Sequence, residues 1–316
     1  MFNVLDRLHH TAEGADGLPA WFLRLSAPSF SGILAHLVNK SLDCSVVPLQ
    51  WKTAMIRPKA KVAVPRSPAD YRPISVLPVL SRVVGRFIVR NYLYPSFEEL
   101  TPPLSLSHQF AFRPSGSTTA AVIAVQHNIT EMLAENEYAI TISTDYSKAF
   151  DSISHDAISE ALSGLDIQDE IYNWHEEYLE NKRHFTACGV QISSVAVINA
   201  SMVQDSVIGP SDFIVGITDL KPVSSLNRLM KYCADDSYLL IGSRNVHSTQ
   251  DELNHISSWA TSKHLHLNPT KAREMVVVRR NRPSMAAEPP IAGGSRSSTM
   301  NILSITIVIV IVIVNS

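Results

Sequence analysis

Asp145, Asp235 and Asp236 are the residues of this chain best suited by type and spacing to do chemistry. Asp235-Asp236 sits on a short polar turn between two apolar or aromatic runs, Leu229–Tyr232 and Tyr238–Ile241, the pattern of a hairpin with both acids at its tip. Asp145 ends a β-branched run, Ala139–Thr144. Adjacent ionised carboxylates repel one another, and hard oxygen ligands on a tight turn suit Mg²⁺. If strand and hairpin share one sheet, the carboxylates of Asp145 and Asp235 can converge on a pair of Mg²⁺ ions ~3.5–4 Å apart, which activate an attacking oxygen and stabilise a leaving one in phosphoryl transfer. Spacing alone does not choose between a nucleotidyl transferase and a nuclease. For a bare Asp-Asp pair, a solvated loop is the plain alternative.

The elements that must position these acids read as alternating helices and short strands, an α+β arrangement around one central sheet. Pro19–Leu25 and Phe30–Leu42 carry helical spacing broken at Ala27-Pro28, and Trp51–Lys59 reads as a strand running into a basic, proline-punctuated loop. Val79–Leu93 reads as a helix with Arg82, Arg86 and Arg90 on one face. Ser117 or Thr118 can cap a helix over Ala120–Ala134. Helices are expected at Asp156–Leu165, Asp169–Asn181 and Asn245–Lys263, a hairpin over Phe185–Val197 turning at Gly189, and a strand at Met275–Val278.

The 316 residues, 45% of them hydrophobic, leave ample core. Net charge is only −2, so no global field announces a polyanionic partner, but the charge is unevenly spread. Nine Lys/Arg face one acid, Asp70, between Trp51 and Arg90, and five face Glu274 between Lys271 and Arg282. Such stretches are the footprint of phosphate contacts or of a solvated face. Cys44, Cys188 and Cys233 lie far apart without metal spacing, as in a reducing compartment. The N-terminus is not that of a signal peptide. The Ile/Val tail, Ile302–Val314, is shorter than the ~20 residues a spanning helix needs, so it reads as an accidental, aggregation-prone tail and no membrane partner is expected.

Seven collinear blocks carry a resemblance. They are Trp51–Lys61, Tyr71–Leu77, Gln109–Thr119, Asp145–Asp151, Gln204–Pro210, Ala234-Asp235-Asp236 and Leu267–Lys271. In order and content they resemble the reverse transcriptase domain of non-LTR (LINE-like) retrotransposons, from about Thr11 to Arg280. The resemblance implies a right-hand polymerase with fingers and palm, a central antiparallel sheet and a thumb largely absent. It divides the chain into a helical extension (1–50), fingers (51–135), palm (136–280), linker (281–300) and apolar tail (301–316). It also implies RNA-directed DNA polymerase activity with Mg²⁺ or Mn²⁺, an RNA template, a DNA primer and dNTPs, in cytoplasm and nucleus.

Asp145, Asp235 and Asp236 become the catalytic metal ligands under this resemblance, and Lys271 a proton donor to pyrophosphate. Arg72, Lys59 and Lys61 would hold triphosphate or template, Gln204 would touch template or nucleotide, and Phe150 would reject a 2′-hydroxyl by clash. Without it, Phe150 could be simple core, Lys271 a solvated helix-end lysine, and Arg72 a partner of Asp70. The family's Pro-Gln-Gly-Ser reads Val203-Gln204-Asp205-Ser206 here, so a carboxylate replaces the glycine that lets backbone approach the nucleotide. Ser211, Asp212 and Gly216 stand where apolar residues are usual, Ala111 replaces Gly, and Ala272 replaces Thr or Ser. Buried polar residues at 211 and 212 could cost several kcal/mol. These departures predict weak or absent synthesis, with a catalytically silent nucleic-acid-binding remnant as the alternative.

Overall fold

β-branched and aromatic runs form the central strands Tyr138–Asp145 and Asp236–Gly242, which are buried on both faces, as their near-continuous apolar sequences require. The computed structural model describes residues 1–98, 106, 108–112, 116–202, 208–233, 236–268, 270–278, 295–296, 299–302 and 305–308. In chain order its strands begin with β1 (Thr53–Ala60), β2 (Tyr71–Val76), β3 (Tyr138–Asp145), β4 (Lys182–Cys188), β5 (Gln191–Ile192) and β6 (Ala196–Ile198). They continue with β7 (Arg228–Cys233), β8 (Asp236–Gly242), β9 (Arg273–Val278), β10 (Ser295–Arg296), β11 (Thr299–Ile302) and β12 (Ile305–Val308). The chain divides into two units, Met1–Leu100 with Ile153–Gly216, and Thr101–Ser152 with Ile217–Ser316.

In the first unit, β1 and β2 form an antiparallel ribbon and β1 pairs in parallel with β4, giving the order β2-β1-β4-β5 with β6 also on β4. Trp51 and Lys52 belong to a helical turn, Leu49–Lys52, rather than to the strand, which starts at Thr53. The break expected at Ala27-Pro28 falls at Ser26, between the helices Ala20–Leu25 and Ala27–Asp43, and Pro28 lies in the first turn of the second, where its missing N–H costs nothing. The helix expected over Val79–Leu93 is an α-helix to Ile88 and a π-turn over Val89–Leu93. Arg82 turns to the Ala12 carbonyl, while Arg86 and Arg90 are exposed.

Ser211 and Asp212 are both buried on the helix Ile208–Gly216, and Asp212 is partnered through one oxygen, its Oδ2 having no hydrogen-bonding partner among the described residues. Its Oδ1 lies 2.8 Å from Nε2 of His175, itself fully buried on the helix Asp169–Leu179. Lys182 is also buried, with its ammonium 4.0 Å from the centre of the Tyr178 ring. Burial pulls the Lys182 ammonium down to about 8, and the Asp212 carboxylate opposes that fall. Gly216 is a place of close approach, since a Cβ there would lie 2.8 Å from Cδ1 of Ile153.

In the second unit β3 is central in the order β10-β9-β3-β8-β7. Strand alternation sorts its side chains into two cores. Ala139, Met230, Tyr238, Leu240, Met275 and Val277 pack with Ala121, Val125, Ile129 and Leu133 of the helix Thr118–Glu135, which Ser117 caps through the Ala120 N–H. Ile140, Ile142, Leu229, Leu239 and Ile241 pack with Ile256 of the helix Thr249–Ser262 on the other face. Glu252, fully buried, accepts the N–H groups of Val223 and Ser224 and the Asn227 amide, fixing the loop that enters β7. Two residues of the 281–300 segment pair with β9, and β11 and β12 form a hairpin. No helix among the described residues is long and apolar enough to cross a membrane.

Removing one partner of the buried Asp212–His175 pair leaves the other's polar atom without its hydrogen bond in the interior. Asp212→Ala should therefore destabilise the fold by about 3–5 kcal/mol in chemical denaturation, and joint replacement with His175→Phe should cost less than the single change. Lys231 of β7 is, like Lys182, brought down to about 8 by burial. Between about pH 8 and 10 the unfolded chain binds protons that these two lysines do not, so stability should rise over that window. Above it, Tyr146 and Tyr178, whose phenols burial pushes up, reverse the trend. Denaturation at pH 8, 10 and 11 checks both signs.

Candidate active site

The centre of the site is the antiparallel register of β3 on β8, which sets Asp145 directly opposite Asp236. Residues opposed in this way project to the same face with Cβ atoms roughly 4.5–5.5 Å apart, and like charges there are destabilising. The two-sided core enforces the placement, because a one-residue slip would turn every apolar side chain of β3 to the wrong face. The β7–β8 hairpin expected around the Asp-Asp pair is present, with Cys233 opposite Asp236. Asp235 itself lies outside the described residues, as does Gln204.

Lys271 supplies the positive charge. Its Nζ is 3.0 Å from Oδ2 of Asp145, with Lys271 61% and Asp145 12% exposed. The block 267–271 is aimed there by backbone and side-chain bonds. Asn268 donates its N–H to the Asp145 carbonyl at 2.8 Å, and Ser147 donates to the His266 carbonyl at 2.8 Å. The Asn268 side-chain oxygen accepts the N–H and hydroxyl of Thr270, an Asx-type turn that delivers Lys271 beside the carboxylate. Lys271 is therefore an ion-pair partner of Asp145 rather than a solvated lysine.

Beyond Asp145 the chain turns through Lys148, in the left-handed region at φ +52, into the short helix Ala149–Ser152 that carries Phe150. Phe150 is not simple core, being half-buried with the Phe112 ring against it, edge to face. Lys231 was not singled out from the sequence. It is buried, and its Nζ donates to the carbonyls of Ile217, Thr218 and Leu220, tying the approach to the hairpin. A lysine inside an otherwise apolar strand was the available signal.

Lys59 and Arg72 lie directly opposite each other on the β1–β2 ribbon of the first unit, and Lys61 follows just past β1 with its ammonium donating to the Ala69 carbonyl, all three exposed. Two cations so placed favour an anion between them. Asp70 is not the partner of Arg72. Its Oδ2 accepts the N–H groups of Arg66 and Ser67 and the Ser67 hydroxyl. Those bonds, the Arg66 N–H first, lower its carboxyl below the usual range.

The carboxylate pair suits a hard divalent cation. Oδ1 of Asp145 is buried with no hydrogen-bonding partner among the described residues, and Asp236 stands opposite it. Mg²⁺ or Mn²⁺ would find oxygen donors there without displacing any bond to Oδ1.

A family model described as reverse transcriptase (RNA-dependent DNA polymerase) matches residues 58–307. The chain belongs to the reverse transcriptase family. It is 30% identical over 249 residues to the probable RNA-directed DNA polymerase from transposon BS of Drosophila melanogaster, covering 75% of this chain and 27% of that protein. It is 27% identical over 282 residues to the RNA-directed DNA polymerase from mobile element jockey of the same organism, covering 85% and 30%. The resemblance to non-LTR reverse transcriptases carried by the seven blocks is borne out. This reverse transcriptase chain spans under a third of the length of those relatives.

Among solved structures, apo telomerase from Candida tropicalis, truncated from its C-terminal domain, aligns with a TM-score of 0.53 at 13% identity, covering 84% of this chain and 55% of that one. That likeness bears on fold, and it agrees with the expected α+β fingers-and-palm architecture with an antiparallel sheet. Reverse transcriptases use divalent metal ions.

Because Lys271 is largely exposed, its ion pair contributes little to stability. Lys271→Met should shift the unfolding free energy by less than about 1 kcal/mol in thermal or chemical denaturation, so any loss of activity in that variant is separable from folding.

Proposed function

We propose that this domain is an RNA-directed DNA polymerase that adds deoxynucleotides to a primer 3′-hydroxyl on an RNA template and releases pyrophosphate. The observation that carries the reading is the cross-strand pair Asp145/Asp236, enforced by the register of β3 on β8, with Oδ1 of Asp145 left without a hydrogen-bonding partner among the described residues. Bound Mg²⁺ or Mn²⁺ supplies activation of the primer hydroxyl and neutralisation of the departing pyrophosphate oxygen. Asp145, Asp235 and Asp236 hold that charge. Lys59, Lys61 and Arg72 hold phosphates, as the facing cations of the β1–β2 ribbon suit. Gln204 contacts template or nucleotide.

Phe150 bars a ribose 2′-hydroxyl. Lys271 holds Asp145 through its ion pair, and its largely exposed ammonium would be the proton donor to the leaving pyrophosphate. Asp205 brings a further carboxylate to the nucleotide-positioning block, where glycine is usual, and repels a triphosphate. Synthesis is accordingly slow. A second reading is favoured by one observation: the cationic ribbon is built independently of the carboxylates, so nucleic-acid binding can outlast catalysis.

Primer extension on a poly(rA)/oligo(dT) hybrid with dTTP and Mg²⁺ or Mn²⁺ tests the assignment. Weak extension is expected, falling at least about a hundredfold in Asp145→Asn and Asp235→Asn, the scale of losing one preorganised charge at a reacting centre. Folded protein that binds the hybrid in a salt-sensitive manner without extending it would replace this reading with the silent remnant.

A further inference from the structure

Phe112 presents its ring to Phe150 at a centroid distance of 6.0 Å and an interplanar angle of 88°, an edge-to-face contact with defined geometry. Phe112 pays for that contact in two ways, being 39% exposed and lying in the left-handed region at φ +59. A bulky residue stays in that region only where its surroundings hold it there.

The surroundings are specific. Gln109 forms a parallel bridge with Lys231 of β7. The Lys231 N–H donates to the His108 carbonyl at 2.9 Å, and Phe110 donates to the Lys231 carbonyl at 3.4 Å. Gln109 is fully buried and its amide reaches the Ala111 carbonyl at 3.3 Å. Lys231 is itself pinned through its ammonium to three carbonyls of the 217–220 loop. The segment 108–111 is thus laid along β7, and the left-handed turn at its end throws the Phe112 ring onto Phe150. On the other side, the turn at Lys148 delivers Phe150 five residues after Asp145.

We propose that Phe112 is a positioning residue that locks the Phe150 ring and thereby sets the discrimination between deoxyribose and ribose. This rests on the polymerase reading above. A steric gate rejects a hydroxyl only while its ring is held in one rotamer, and the half-buried Phe150 has the Phe112 ring edge as a buttress. Phe112 acts through Phe150 and touches no reacting atom.

The test compares dTTP with ribothymidine triphosphate on the poly(rA)/oligo(dT) hybrid for Phe112→Leu, Phe112→Gly, Phe112→Tyr, Phe150→Val and the double variant Phe112→Leu/Phe150→Val. Phe112→Gly accommodates the positive φ, so a folding defect cannot stand in for loss of the ring. The leucine and glycine variants should lose deoxy-over-ribo selectivity by about three- to tenfold, the scale of an aromatic pair. The tyrosine variant should retain it, and Phe112→Leu should add nothing once Phe150 is valine. Full selectivity in Phe112→Gly, or an additive loss in the double variant, overturns the proposal. If the unmodified domain extends nothing, the polymerase reading fails, and the same ratio is read by equilibrium competition of the two triphosphates for the protein–hybrid complex. Equal ratios across the variants there overturn the role of Phe112.

Discussion

Two carboxylates held face to face across β3 and β8 are the constraint on which the second unit is built. Asp145 and Asp236 would separate if the sheet were free to choose, and it is not free. Five apolar side chains of that sheet are committed to one core and six to the other, so relieving the repulsion by a register shift would bury polar groups and expose apolar ones on both faces. The repulsion is therefore left standing and answered locally by Lys271. That answer is reversible, since the lysine is mostly exposed and its anchor is the Asn268 turn rather than the core. An exchangeable charge beside fixed acids is what a site that gains and loses cations needs.

The first unit treats charge in the opposite way. Asp212, His175 and Lys182 are shut into the interior, where their mutual attraction must offset desolvation. Nothing there is exchangeable, and none of these groups is among the residues assigned to chemistry. Lys59 and Arg72 are instead crowded on a ribbon with a like charge opposite like charge, and Lys61 follows just past β1. In the first unit the side chains assigned to substrate are exposed, whereas Asp212, His175 and Lys182 are sealed in the interior.

Strands β3 and β8, the hairpin between the apolar runs and the helix capped by Ser117 were legible because each is written in local signals, namely periodicity, β-branching and a capping hydroxyl. Other features were not local. The π-turn at Val89–Leu93 keeps helical spacing nearly intact, so periodicity does not separate it from an α-helix. Trp51 looks like a strand residue by propensity, yet the N–H of Trp51 bonds back to the Pro48 carbonyl. The partner of Asp212 is 37 residues away, and the left-handed turn at Phe112 has no glycine to announce it. Asp145 and Lys271 could be named from their blocks, but their contact spans 126 residues and required the sheet.

The departures from the family pattern separate by physical kind. Asp212 is accommodated by a histidine, and Gly216 sits where a side chain would press on Ile153. Ala272 lies just before β9 and offers its carbonyl to Arg273, a role any residue fills. These changes sit within a packing arrangement that absorbs them, so they carry no argument that the fold has decayed. Asp205, which lies outside the described residues, differs in kind: on the proposed reading it adds a charge near the triphosphate, and no packing adjustment removes a charge. On the proposed reading, the weight of the departures lies in that one charge rather than in the number of altered positions.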